Sequence, residues 1–402
     1  MDNQTVLRFA VMSDTHYSET HPVVRERFAR AMEAIRRCAD ADDYKTLDAL
    51  YVVGDFTDTS TAAQMEMFRT DAEAFLPAET KLVILLANHD MHYVPDNRAA
   101  MADFERIFGM ARDRHEVIRG YHFISVSGIR GADGWDDSFD EAKQAFAREA
   151  LAQARADGGN RPIFFFQHTG FPGTIAGGDF GRLELFSILK DYPQVIDFSG
   201  HSHQSANSPR EIDQNYFTCV GTGSMYSLSA RTGRVHHDYD LSSWNGKDYG
   251  QMLLVEVSAD DAVRIRCLDA QAGGFYDDGI VLRDVWDPAR HTCTDRRAAL
   301  AKPPVFPEGA SVTAVREAEG LRLTFPQAHG IGERVQDYRV TVSDAAGVVL
   351  AQRTFPSDYP ALRPCEIFSV FLSGTYPDGC TVRVYAEGFW DNLSAPIGGI
   401  LS

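Results

Sequence analysis

Short runs of apolar, β-branched and aromatic residues recur through the first half of the chain: Leu7 to Met12, Leu50 to Val53, Leu82 to Leu86, His122 to Val126, Ile163 to Phe166 and Val195 to Phe198. Runs of this length bounded by polar turns predict buried strands. Between them the period lengthens. Val24, Phe28, Met32 and Ile35 share one helical face, as do Met65, Phe68, Ala72 and Phe75, so strands alternate with amphipathic helices. Beyond Asp197 the pattern predicts strands alone: Tyr216 to Val220, Met252 to Val257 and Val263 to Leu268. An α/β sandwich of two packed sheets flanked by helices accommodates both patterns.

From Asp287 to Pro307 charge is dense and Pro288, Pro303, Pro304 and Pro307 interrupt the chain, which predicts a linker between a domain over 1–286 and another over 308–402. In the second stretch the expected strands are Leu321 to Phe325, Tyr338 to Val342, Val348 to Arg353, Glu366 to Leu372 and Thr381 to Glu387. Turn clusters such as Asp344-Ala345-Ala346-Gly347 and Pro377-Asp378-Gly379 separate them, and no helical pattern intervenes. That is the signature of a small all-β sandwich. Leu321-Arg322-Leu323-Thr324-Phe325, Tyr338-Arg339-Val340-Thr341-Val342 and Val382-Arg383-Val384-Tyr385-Ala386 resemble the fibronectin type III pattern.

A chain of 402 residues suits one large and one small domain. With 39 Lys and Arg against 57 Asp and Glu, the net charge of -18 opposes attraction to long nucleic acid or to an anionic membrane. Small anions are still compatible, because bound divalent cations reverse the field locally. No run reaches the roughly 20 apolar residues that span a bilayer, and Met1-Asp2-Asn3-Gln4 lacks a basic region followed by an apolar core, so a cytoplasmic location is expected. The six cysteines show no C-x-x-C spacing. Reduced core thiols are expected, with Cys365 and Cys380 the pairing to check.

The chemistry sits in five polar motifs, each directly after an expected strand: Asp14-Thr15-His16, Gly54-Asp55-Phe56-Thr57-Asp58, Asn88-His89-Asp90, Gln167-His168 and Gly200-His201-Ser202-His203. Open α/β sheets build their sites at the carboxyl ends of strands. On an extended segment Asp14 and His16 leave the backbone on one side and can serve one metal ion. His201 and His203 repeat that spacing and can give one ligand to each of two ions. Asp55, with two carboxylate oxygens, can bridge the ions, and the preceding Gly54 permits close backbone approach. Asn88 adds a neutral oxygen and His168 another imidazole. If Asn88 faces the metals, His89 faces elsewhere, over the substrate, which makes it the candidate acid; Asp90 is expected to accept its other ring N–H. Nitrogen and oxygen ligands without thiolate suit two ions such as Mn, Fe or Zn, and equally Co or Ni.

The ordered set D-x-H, G-D-x-x-D, N-H-D, H and G-H-x-H, spanning residues 14 to 203, resembles the calcineurin-like metallophosphoesterase superfamily. The resemblance implies Asp14, His16, Asp55 and His203 at a first metal, Asp55, Asn88, His168 and His201 at a second, and His89 as the acid or phosphate-contacting residue. It implies a phosphoesterase that attacks phosphorus in line with a metal-bridging hydroxide, a water whose pKa metal binding lowers from about 15.7 towards about 7. Ala87 stands where the family usually has Gly. A methyl group is tolerated there if the backbone angles are negative. Thr59 follows Asp58 where the protein phosphatases carry Arg, and Asp58 with His16 departs from the Tyr ligand and His-free first motif of purple acid phosphatases. The pattern is most similar to the bacterial cyclic-nucleotide phosphodiesterase branch, which points to a small phosphodiester as substrate. The alternatives are a monoesterase or nucleotidase on the same site, or an inactive binding scaffold, against which the retention of every ligand and of His89 argues.

Other features read more plainly. Asp58 orients a ligand or caps the following helix. Tyr17 and His92 could line the pocket but suit ordinary surface roles. Gly221-Thr222-Gly223-Ser224 lacks a complete phosphate-loop motif and is taken as a turn. Trp135-Asp136-Asp137 lies in a Gly- and Asp-rich loop that covers the site or merely connects, and His236-His237 reads as a solvated stretch.

Overall fold

The computed structural model describes residues 4–93, 97–130, 137–178, 181–230, 239–242 and 244–401. Trp135 and Asp136 of the Gly-rich loop, and His236-His237, lie outside the described residues. Two compact units emerge: residues 1–233 with 247–294, and residues 234–246 with 295–402.

The first unit is a two-sheet α/β sandwich. One sheet runs in the order Gly274–Phe275, Val263–Asp269, Gln251–Ser258, Thr5–Met12, Ala49–Val53 and Lys81–Leu85, with Ile280–Leu282 also paired to Val263–Asp269. Thr5–Met12 is parallel to Ala49–Val53, and that strand to Lys81–Leu85, so three strands point their carboxyl ends the same way. The other sheet runs Ile212–Asp213, Thr218–Gly221, Val195–Gly200, Ile163–Thr169, Tyr121–Ser125 and Arg114–Ile118, and its four central strands are parallel. Arg114–Ile118 escapes the sequence pattern because, as a half-exposed edge strand, it alternates too little to stand out.

Between the sheets Phe9, Tyr51, Phe123, Phe164, Phe166 and Phe198 form an aromatic core, with Phe9 edge-on to Phe164 at 4.8 Å and to Phe123 at 5.0 Å. Helices Val23–Ala41, Ala62–Phe75 and Asn97–Phe108 cover the outer face of the first sheet, burying Phe28, Phe68 and Phe104. Glu141–Gly158 and Leu183–Leu189 cover the second. Parallel strands sealed on both faces by apolar layers keep their polar residues for the strand ends.

The second unit is all-β. Thr313–Glu317, Gly320–Pro326 and Ile367–Ser373 make a three-stranded antiparallel sheet; Val349–Pro356, Asp337–Ser343, Thr381–Glu387 and Ile397–Ile400 make a four-stranded one. Leu323, Phe325, Tyr338, Val340, Val370 and Val384 fill its core. Tyr239, far upstream in sequence, bridges Thr354 and donates from its hydroxyl to Asp337 within this unit. The stretch 287–307, expected as a linker, holds a short 3-10 turn (Pro288–Arg290), a helix (Arg296–Leu300) and a strand (Lys302–Val305), and Cys293 is buried in the first unit's core. All six cysteines are free thiols, so the Cys365–Cys380 pairing does not form: Cys380 is buried and Cys365 exposed. Among the described residues no helix is long and apolar enough to cross a membrane.

Candidate metal centre

Every one of the five motifs lies at a strand end of the first unit. Asp14 and His16 follow Thr5–Met12, Asp55 follows Ala49–Val53, Asn88 follows Lys81–Leu85, His168 lies near the end of Ile163–Thr169, and His201 follows Val195–Gly200. The backbone there is not extended, as the spacing argument assumed. Asp14, His16, Asp55, His201 and His203 all have positive φ, between 44° and 66°. For residues with a Cβ this left-handed region costs of order 1–3 kcal/mol each. The chain curls over the strand ends instead of running on, and the curl brings the side chains inward.

Two glycines make the approach possible. Gly54 has φ +79°, and a Cβ on it would fall 2.5 Å from His168 Nδ1. A Cβ at Gly200 would fall 2.4 Å from Asp14 Oδ2. Ala87, at φ -137°, accepts its methyl without strain.

The donor atoms converge. His16 Nε2 lies 3.2 Å from His203 Nε2, and His203 Nε2 lies 3.2 Å from Asp14 Oδ1. His168 Nε2 lies 3.2 Å from Asp55 Oδ2 and 3.9 Å from Asp14 Oδ1. The inward amide atom of Asn88 is 3.2 Å from His168 Nε2, 3.2 Å from His201 Nδ1 and 3.3 Å from both Asp55 oxygens. Three groups could hold a cation, with one atom from each member within 4.8 Å of the others: Asp14, His16 and His203; His16, Asp55 and His89; Asp55, His168 and His201.

Most of these groups are buried. Burial pushes the Asp14 carboxyl up, but His203 and His168 outweigh it and hold it at about 2. Asp55 is likewise raised by burial and then drawn lower still by His168, His89 and His16. Burial, joined by His168, lowers His201 to about 4. His203 rises despite burial because Asp14 and Asp55 face it.

The surrounding bonds fix orientation. His168 Nδ1 is 2.7 Å from the Val53 carbonyl, which accepts from it and leaves Nε2 turned inward. Asp14 accepts from the His201 amide at 3.0 Å, and Asp55 from the His89 amide at 2.8 Å. Asp58 faces His16, its Oδ1 3.6 Å from Nδ1, and Thr61, not Asp58, caps the next helix.

One role must be corrected. Asp90 does not hold the His89 ring: His89 Nδ1 meets the Asp58 carbonyl at 2.8 Å. Asp90 instead accepts from the Thr57 amide and hydroxyl, both at 2.9 Å, and from the Ala87 amide at 3.0 Å. The cause is local: Asn88–Met91 is a helical turn, and there adjacent side chains diverge. Asp90 thus ties the second and third motifs together. Tyr17 is not a surface residue either; it packs edge-on against Phe68 and donates to Asp71.

Several contributors carry no motif. Ser13 meets Thr222 at 2.7 Å, Ser224 donates to the Asp14 carbonyl at 3.1 Å, and the Tyr226 amide does so at 3.1 Å, so the 221–224 turn braces the Asp14 loop. Tyr226 lies 5.5 Å from His16 and stacks at 4.1 Å with His21, Lys247 Nζ sits 5.3 Å over the Tyr226 ring, and Tyr93 lies 5.1 Å from His89. Only the Gly-rich turn left a trace in the sequence.

Residues 7–205 match the calcineurin-like phosphoesterase family. The chain carries a calcineurin-like metallophosphoesterase domain. No curated protein sequence matches it significantly. Among solved structures, a purple acid phosphatase from yellow lupin seeds resembles it with a TM-score of 0.50 and 13% identity, over 71% of this chain and 55% of that one. GAP50, the inner-membrane-complex anchor of Plasmodium, resembles it with a TM-score of 0.45 and 13% identity, over 72% of this chain and 96% of that one. The chain thus spans little more than half the length of the lupin enzyme, and the likeness is one of fold. In the metallophosphoesterase domain the donor set fits metal: oxygen and imidazole atoms meet at a common point, where an Asn88 oxygen would be repelled by its neighbours unless a cation lay among them.

Proposed function

We propose that the metallophosphoesterase domain hydrolyses small phosphate esters at a dinuclear metal centre and prefers phosphodiesters to monoesters. The observation that carries the reading is the meeting of Asn88, His168, His201 and Asp55 around one point, with Asp14, His16 and His203 beside it. Asp14, His16, Asp55 and His203 would hold one ion and Asp55, Asn88, His168 and His201 the other. When bound, such ions supply Lewis acidity and an activated water.

The chain's own residues do the rest. Asp55 is braced by the His89 amide, which donates to its Oδ1, while its Oδ2 faces His168 Nε2. His89 keeps Nδ1–H on the Asp58 carbonyl, so its Nε2 is the nitrogen left to donate a proton to the departing oxygen of the ester. Lys247 over Tyr226 adds positive charge at the rim of a strongly acidic protein, where an anionic substrate must enter. The His16 and Asp58 pattern, with Thr59 after Asp58, supports the cyclic-nucleotide phosphodiesterase branch over protein and purple acid phosphatases. For the second unit the division into three and four antiparallel strands supports a fibronectin type III-like sandwich, to which we give a packing or spacer role.

The test is a panel of bis(p-nitrophenyl) phosphate, p-nitrophenyl phosphate, cyclic nucleotides and nucleotides with the Mn-loaded full chain, paired with metal analysis. Faster turnover of diesters is expected. Faster turnover of monoesters would overturn the preference, and inertness of protein carrying two metal equivalents would overturn the hydrolase reading.

A further inference from the structure

A buried arginine ties together the loops beside the histidine-rich centre. Arg27, fully buried on helix Val23–Ala41, donates through Nη1 to the carbonyls of Met225 at 2.9 Å and Tyr226 at 2.5 Å, through Nη2 to the carbonyl of Lys247, and through Nε to Gln271 Oε1 at 2.8 Å. Three segments far apart in sequence are thereby fixed to one guanidinium. Burying a cation is costly unless its donors are satisfied, so these contacts hold the arginine in place as firmly as it holds them. Gly250 makes the room: a Cβ there would fall 2.6 Å from Arg27 Cδ and 2.8 Å from the Met225 carbonyl oxygen.

What this clamp holds is a tyrosine and a lysine at the edge of the proposed centre. The Tyr226 amide donates to the Asp14 carbonyl at 3.1 Å, and the ring lies 5.5 Å from His16 and 4.1 Å from His21. Lys247 is exposed, yet its ammonium is not left to water alone: it hydrogen-bonds the Tyr226 hydroxyl and feels the Asp58 carboxylate, which is itself 3.6 Å from His16. Tyr226 and Asp58 both face His16, so the lysine's charge is held near the proposed metal ligands. In a chain of net charge -18 such a charge has consequences for what can dock there.

We propose that the Lys247 ammonium and the Tyr226 hydroxyl form a specificity subsite that takes a second anionic group, a carboxylate or a phosphate, borne by one of the ester's substituents. The inference rests on the phosphoesterase reading above and names the substrate class for that site: diesters with an additional negative charge. In that reading the scissile phosphate is already served by two ions, Asn88 and His89, whereas an ammonium with three donors on a flexible stem suits a further anion. The Tyr226 hydroxyl, accepting from the lysine, can donate its own proton to the same anion. Arg27 is the positioning residue: it touches no substrate and fixes the backbone beneath both side chains.

The test uses the Mn-loaded full chain with the p-nitrophenyl diesters of ethyl, 2-carboxyethyl and 2-phosphonoethyl phosphate, and with ethyl 3-carboxy-4-nitrophenyl phosphate, which puts the anion on the leaving group. At least one anion-bearing ester should show a KM about 10-fold below that of p-nitrophenyl ethyl phosphate. That advantage should disappear in Lys247→Ala and in Arg27→Lys at unchanged Mn content, with the ethyl ester losing less, and Lys247→Arg should retain it. Calorimetry gives a readout without turnover: 2-carboxyethylphosphonate should bind wild type about 10-fold more tightly than ethylphosphonate, and Lys247→Ala should bind the two alike. Should Arg27→Lys fail to fold, Lys247→Ala decides. Equal KM values across the esters in wild type, an advantage that survives in Lys247→Ala, or a loss in that variant equally large on the ethyl ester, as contact with the scissile phosphate would give, would overturn the subsite. Inertness of the Mn-loaded protein towards every ester, the ethyl one included, would instead overturn the hydrolase reading beneath it.

Discussion

Asp55 faces His168, Asn88 and the His89 amide at once, so a one-atom change there reaches the whole proposed centre. Asp55→Asn removes a charge and one strong ligand oxygen. Activity should fall by orders of magnitude and bound metal should drop, as measured by turnover of bis(p-nitrophenyl) phosphate and by elemental analysis; unchanged metal content and rate would contradict the bridging role. His89 is assigned to the leaving group. His89→Ala should cost about 10²- to 10⁴-fold on alkyl esters and much less on p-nitrophenyl esters, which need little protonation. Equal losses on both would indicate phosphate binding instead. The donor residues were legible in the sequence because ligand chemistry resides in residue type. The partner of His89 was not, since it depends on how one helical turn from Asn88 to Met91 rotates each side chain.

At the scale of the element, the strand-to-loop junctions do the positioning. Five non-glycine residues with positive φ are held there by packing and hydrogen bonds, including those from the 222–226 segment to the Asp14 loop. Gly54 lies at one of these junctions, with φ +79° and the His168 ring 2.5 Å from an added Cβ. Gly54→Ala should lower stability by about 1–3 kcal/mol in urea unfolding and reduce metal stoichiometry, because the ring must move off the Val53 carbonyl. A variant with wild-type stability and metal content would show that the loop relaxes freely. The strands and helices around these junctions were foreseen from hydrophobic period. Their left-handed turns were not, because the modest tolerance of Asp and His for positive φ does not by itself locate such a turn.

At the scale of the whole molecule, stability of the first unit rests on the aromatic layer between its sheets. Phe9 touches Phe123 and Phe164 there, and Phe9→Ala should cost about 3–5 kcal/mol, read from the urea midpoint. The buried Glu211 predicts a pH dependence. Burial raises its carboxyl from 4.5 to about 8 against the pull of Arg210. The unfolded chain releases this proton at lower pH than the folded one. The contribution is therefore complete below 4.5 and is lost as pH rises through about 8. Thermal unfolding should show that decline, and Glu211→Gln should flatten it; a wild-type profile without the decline would show that the carboxyl is not raised. By itself the sequence determined the alternation of strands and helices, the all-β character of the final stretch and the roster of imidazoles, carboxylates and amide, because period and residue chemistry are local properties. Only the tertiary structure decided that Asp90 ties two motifs together and that Tyr239 joins the later unit. Those facts depend on which distant backbones pack side by side and on where a missing Cβ leaves room.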